Sequence, residues 1–229
     1  LAAVGSGCGE EPANAGKDAP AIPKGPVEGS LTISQWPLYI DPGKNGTVRE
    51  FEAATGVSVK YIEEINDNVE IFGKLRPMLE RGDSGNRSLI TVSDWLAARM
   101  FRLGYLHRLD PKRLPNVEKN LIPSLRHPEA DPGREFTVPW QSGMTGLIVR
   151  KDLAPEVDEI RDLFDPRYKG KVTMLTEMRD SVPMTLKSMG IDPDQASKDQ
   201  WLEAVDKVAE AADSGQVRKF TGNDYIKDL

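Results

Sequence analysis

"LTISQWPLYIDPGKNGTVREFEAATGVSVKYI", Leu31 to Ile62, decides the fold. Leu31–Ser34 reads as a short strand and "DPGKNG", Asp41–Gly46, as a turn. "TVREFEAATG" is amphipathic at helical spacing, with Val48, Phe51 and Ala54 on one face and Gly56 as a stop. "VSVKYI" alternates Val57, Val59 and Tyr61 as a second strand. A strand, a helix and a strand in so short a span make a βαβ unit, and that unit requires a parallel sheet.

The pattern continues downstream. "NDNVEIFGKLRPMLERG" predicts a helix opened by Asp67 and Glu70 as a capping box and closed by Gly82. "SLITV" is a third strand, and 94–102 a third helix. Residues 104–139 are rich in loops and prolines. "GLIVRKD" then predicts a strand, and "IRDLFDPRYKGKVTML" a short helix, a turn at Asp165–Pro166 and a strand ending near Leu175. "RDSVPMTLKSMG" is a helix that tolerates Pro183 only in its first turn. "KDQWLEAVDKVAEAADSG" is a helix with Trp201, Val205 and Val208 on one side, and "QVRKFTGND" starts a last strand. The expected fold class is α/β, with lobe 1 at 30–139 and lobe 2 at 140–229.

Upstream, "LAAVGSGC" reads as the end of a signal segment with a lipoprotein processing site. Residues 1–8 are then a signal-peptide remnant, and Cys8 is the acylated residue. Residues 9–29, rich in Pro, Gly, Ala and charge, read as a flexible tether. The expected location is extracytoplasmic, on a bacterial cell membrane.

The 229 residues carry a net charge of −6, and no Lys/Arg cluster forms a nucleic-acid footprint. Cys8 is the single cysteine, so a disulfide framework within the chain is excluded. His107 and His127 lie in polar stretches, and no nucleophile–base pair or metal-ligand spacing is present, which argues against an enzyme, a metal site or a cofactor.

In open α/β sheets ligands lie beyond the carboxyl ends of strands. Trp36 and Tyr39 follow the first strand, and Ser93, Asp94 and Trp95 the third. Trp140, Gln141 and Thr145 lie near the junction of the lobes, and Glu177 and Asp180 follow the strand of lobe 2. Three of the four Trp thus fall at strand exits or at the junction of the lobes, together with three carboxylates. An alkyl ammonium gains from an aromatic face and from a carboxylate in a partly desolvated site. The competing reading makes the Trp side chains core aromatics, and Asp94, Asp180 and Ser181 helix caps.

Five stretches in order resemble bacterial spermidine/putrescine-binding proteins. They are "ISQWPLYIDP", "VREFEAATGVSVKYIEEINDNVEIFGKL", "TVSDWLAARMFRLGYLHRLD", "FTVPWQSGMTGLIVRKD" and "LFDPRYKGKVTMLTEMRDSVPMTLKSMGID". The resemblance implies a two-lobe type II periplasmic-binding-protein fold that closes on a polyamine and hands it to an ABC transporter permease. It implies a ligand site of Trp36, Tyr39, Ser93, Trp95, Glu177 and Asp180. Between Trp36 and Tyr39 such proteins often carry a carboxylate, where this chain has Leu38; Asp94 is the candidate substitute. Another amine, iron, an anion, or a sensor role on the same fold stay open as alternatives. The family's chains are longer, so the sequence is expected to break off within lobe 2, with an incomplete site and weak binding.

Overall fold

The computed structural model describes residues 29–41 and 43–228. The expected processing site at Cys8 and the tether to residue 28 lie outside the described residues.

The chain divides into two units. The first comprises residues up to 64 together with 71–142, and the second comprises 65–70 and 143–229. Nothing in the local sequence pattern marks the excursion at 65–70.

The first unit is built on strand β1 (Ser30–Gln35), flanked by β2 (Ser58–Glu63) and β3 (Leu89–Ile90) in the order β2-β1-β3. All pairings are parallel, and the first places Gln35 opposite Glu63. The β1–β3 ladder continues one residue to either side through Ser88 N–H to Thr32 O and Thr91 N–H to Ser34 O. Helix α1 (Thr47–Thr55) makes the first crossover and ends on Gly56 at φ 73, a left-handed cap that a residue with a Cβ adopts only at a cost. Its expected apolar face is only partly used: Val48 is buried, whereas Phe51 and Ala54 are exposed. Helix propensity and the glycine stop thus form α1 without burying its full stripe.

Helix α2 (Asn68–Leu79) starts where Asp67 accepts the N–H groups of Val69 (2.7 Å) and Glu70 (2.9 Å), the Asp67 half of the expected capping box. Helix α3 (Asp94–Arg102) packs Leu96 and Met100 onto Phe72 of α2, with Ile90, Val92 and Trp95 around them. The proline-rich stretch that follows holds a short helix, α4 (Pro115–Asn120), and a turn organised by Asp131. The Asp131 carboxylate accepts the N–H groups of Glu135, Phe136 and Thr137 and the Thr137 hydroxyl. Burial pushes this carboxyl up, but those four donors outweigh it and hold it below the usual carboxylate range.

The second unit has two parallel strands, β4 (Val172–Leu175) and β5 (Val217–Thr221), joined through α5 (Met178–Ser188) and α6 (Lys198–Asp213). Val172, Met174, Ala211 and Val217 form its core, with Leu163, Phe164, Tyr168 and Val208 against them. Buried Gln216 donates to the carbonyls of Leu163 (2.8 Å) and Asp165 (2.9 Å), so the turn before β4 is tied to the start of β5. Helix α6 opens with a Ser197–Gln200 capping box.

Three expectations need correction. "GLIVRKD" forms no strand: a strand requires a partner ladder, and neither β4 nor β5 pairs with it. The buried stripe of α6 runs through Trp201, Ala204, Val208 and Ala211, leaving Val205 exposed. Pro183 sits inside α5 in its second turn rather than its first, because the helix starts at Met178.

Candidate functional site

In the first unit, β1 ends in the buried residues Ser34 and Gln35 and then turns sharply. Gln35 Oε1 accepts the N–H of Trp36 at 3.0 Å. The chain passes through Pro37 and Leu38, which takes φ 66, and brings Tyr39 back beside Trp36. Their rings stack with centroids 6.2 Å apart and planes at 29°. The left-handed Leu38 donates its N–H to Glu63 Oε1 at 2.9 Å, and its side chain is 79% exposed.

One residue further along, Glu64 has a different role. It accepts Ser34 Oγ at 2.8 Å and takes both Arg87 Nε (2.6 Å) and a second guanidinium nitrogen (2.8 Å), with Lys74 Nζ at 3.2 Å. Hydrogen bonding to Arg87 is the main cause that lowers its carboxyl to about 2, against a burial effect that opposes it. This pair holds the strand ends in place.

At the exit of β3, Asp94 turns its carboxylate onto the N–H of Trp95 at 2.7 Å. It therefore serves the first turn of α3. Trp95 packs against the Phe72–Leu96–Met100 core, as the competing core reading has it. Ser93 is the residue just before α3. Trp140 is 49% exposed and Gln141 is exposed. Within this unit the structure brings Trp36 and Tyr39 together, and it places Asp94 and Trp95 side by side at the start of α3.

In the second unit, β4 runs directly into the cap of α5. Glu177, not Asp180 or Ser181, is the N-cap: its Oε1 accepts Arg179 N–H at 3.1 Å. Its Oε2 accepts Asn68 Nδ2 at 3.0 Å. Asp180 lies in the first turn, where the helix dipole favours a carboxylate, and accepts the Thr145 hydroxyl at 2.6 Å. Ser181 Oγ turns back to donate to Leu175 O at 2.6 Å. Thr145, Glu177 and Asp180 are thus joined at one helix start.

Sequence reasoning missed what orients this end of the unit. Asn66 accepts the N–H groups of Asn223 (2.9 Å) and Asp224 (3.0 Å), Asp67 accepts the Thr176 hydroxyl, and Asn68 is buried against Glu177. Three consecutive residues therefore engage the ends of both β4 and β5. A Cβ at Gly222 would lie 2.3 Å from Asn66 O, so that closeness requires glycine. An open depression of about 500 Å³ lies here, lined by Asp67, Glu70, Thr176, Phe220 and Asp224 among others. Sequence spacing marked Asp67 as a cap; its second bond, to a residue 109 positions on, left no local signal.

Chemically these groups suit recognition. An aromatic pair offers faces for methylenes and cations, and oriented carboxylates offer acceptors for N–H donors. Among the described residues no group of three or more His, Cys, Asp or Glu is placed to hold a metal ion, and no helix is long and apolar enough to cross a membrane.

Comparison with known proteins adds the family. Residues 46–229 match the model of the bacterial extracellular solute-binding proteins. The chain belongs to that family.

Within the solute-binding proteins, the resemblance read from the five motifs is borne out. The spermidine/putrescine-binding periplasmic protein of Escherichia coli is 26% identical over 163 residues, 70% of this chain and 44% of that protein. A putrescine/agmatine-binding protein of Pseudomonas aeruginosa is 29% identical over 140 residues, 60% of this chain and 34% of that protein. The chain thus spans less than half the length of these relatives. A solved structure named for a spermidine/putrescine ABC transporter of Listeria monocytogenes superposes with a TM-score of 0.69 at 28% identity, over 86% of this chain and 58% of the other. A lipoprotein of Treponema pallidum gives 0.67 at 23% identity, over 86% and 59%, a likeness of fold. The expected α/β periplasmic-binding-protein fold is therefore present.

Proposed function

We propose that this is an extracytoplasmic solute-binding protein that delivers a polyamine of the spermidine/putrescine type, or a related small cation, to the permease of an ABC importer. The stacked Trp36–Tyr39 pair beyond the carboxyl end of β1 carries the reading. A half-buried aromatic pair on a turn built by a left-handed leucine is a costly arrangement unless something uses its faces. The names of the relatives, which bind spermidine, putrescine or agmatine, support the same ligand class.

In this reading Trp36 and Tyr39 take the methylenes and the charge of the amine, while Glu177 and Asp180 accept its N–H groups. Ser93, Asp94 and Trp95 support the aromatic side, and Trp140, Gln141 and Thr145 are secondary contacts. Binding requires no covalent step. Cys8 carries a lipid anchor on the outer face of the cell membrane, and 9–29 tethers the two lobes, 30–139 and 140–229.

Leu38 supports a second reading, a small solute of other charge, because its exposed alkyl group stands where related proteins often carry a carboxylate. Isothermal titration of the protein with spermidine, putrescine, ferric citrate and a panel of organic anions separates the two. The expected result is binding of a polyamine, weakened at least about tenfold by Trp36→Ala and by Glu177→Ala. Binding of an anion or iron, with no response to any amine, would falsify the polyamine assignment.

A further inference from the structure

We infer that Glu63 supplies the carboxylate that Leu38 lacks, making Glu63 a charge contact for the ligand's ammonium group on the aromatic side. The inference rests on the polyamine reading of the Trp36–Tyr39 turn.

Glu63 is the last residue of β2 and pairs with Gln35, the last residue of β1, so both strands end at the same level. Trp36 is the next residue. The Glu63 carboxylate then reaches into the turn itself, where Oε1 accepts the Leu38 N–H at 2.9 Å. Leu38 stands in the chain between the two stacked residues. The carboxylate is therefore fixed at the backbone of position 38, at the foot of the aromatic pair.

Among the described residues no Lys or Arg forms an ion pair with Glu63, and the Leu38 N–H is its hydrogen-bond donor. One N–H occupies a single acceptor direction of a carboxylate that has about four. Glu63 is exposed, so its carboxylate is held in the turn that carries the two aromatic rings and, among the described residues, has no ion-pair partner. An ammonium group is attracted to both elements at once, to the ring face and to the carboxylate. Asp94, the substitute expected from sequence, stands at the start of α3, where it accepts the N–H of Trp95 rather than a donor of the aromatic turn.

Glu63→Gln is a clean test because the amide oxygen still accepts the Leu38 N–H while the charge is gone. Spermidine and putrescine are titrated into the full protein and into this variant at low and high salt, with thermal unfolding checked in parallel. The expected result is a loss of about tenfold in affinity at low salt, shrinking as salt screens the wild-type attraction. Glu63→Asp, which keeps the charge at shorter reach, falls between the two. If the wild type binds and Glu63→Gln loses less than about threefold, Glu63 only shapes the turn and the inference is overturned alone. If the wild type takes neither amine, the polyamine reading fails and carries this inference with it.

Discussion

Glu63 and Glu64 are neighbours in sequence with opposite environments. Glu63 ends β2, is exposed and holds a backbone N–H of the aromatic turn. Glu64 is 13% exposed and is enclosed by Ser34, Lys74 and Arg87, with Arg87 itself 14% exposed. Alternation along an extended chain sends successive side chains to opposite faces, and here it separates two jobs. One carboxylate is neutralised and fixes the architecture; the other keeps its charge where the strand ends.

The sharpest way to break this comparison is Glu64→Ala. It leaves the Arg87 guanidinium half-enclosed without its partner, and uncompensated charges of this kind typically cost about 3–5 kcal/mol. Urea denaturation of the variant checks the value. A midpoint unchanged from wild type would mean that Arg87 finds another acceptor or water, and the contrast between the two glutamates would collapse.

Acid offers a second, slightly smaller handle on the same group. The Glu64 carboxyl is lowered from its ordinary 4.5 to about 2, mainly by hydrogen bonding to Arg87. A depressed folded-state pKa contributes stability that is fully present above the unfolded value and is lost as pH falls through the folded one. The window therefore runs from about 4.5 down to about 2, and the loss amounts to roughly 3 kcal/mol. Chemical denaturation at stepped pH in wild type and Glu64→Gln measures it: the difference between the two proteins narrows as pH falls through this window. A difference that stays constant would rule out Glu64 as the group responsible.

This pair also shows which parts of the molecule were legible in the sequence. The βαβ order, the stop at Gly56 and the Asp67 cap depend on spacings of a few residues, and each was readable. Trp36 and Tyr39 were marked by their place after a strand. The Glu64–Arg87 pair spans 23 residues and the Asn68–Glu177 bond 109, so tertiary structure alone brings them together. The same physics explains the errors. "GLIVRKD" has strand-like alternation, but a strand is defined by its partner. Phe51 fits an amphipathic stripe, yet nothing in the pattern tells which part of a stripe is covered. Trp95 sits at a strand exit and, half-buried, also packs against the cluster of Phe72, Leu96 and Met100, a contact that its spacing did not show.

The smallest expected effect is the most discriminating. Glu63→Gln removes a charge from an exposed residue and retains the acceptor for Leu38 N–H, so the stability change should be within about 0.5 kcal/mol. Thermal or urea unfolding beside Glu64→Ala makes the comparison direct. A near-zero effect at position 63 and a large one at 64 assign the framework role to Glu64 alone. A loss above about 2 kcal/mol at Glu63 would instead mean that its charge holds the Trp36–Leu38–Tyr39 turn together. Any change in ligand affinity on removing Glu63 would then report a collapsed aromatic pair rather than a lost ion pair, so stability must be measured before affinity is interpreted.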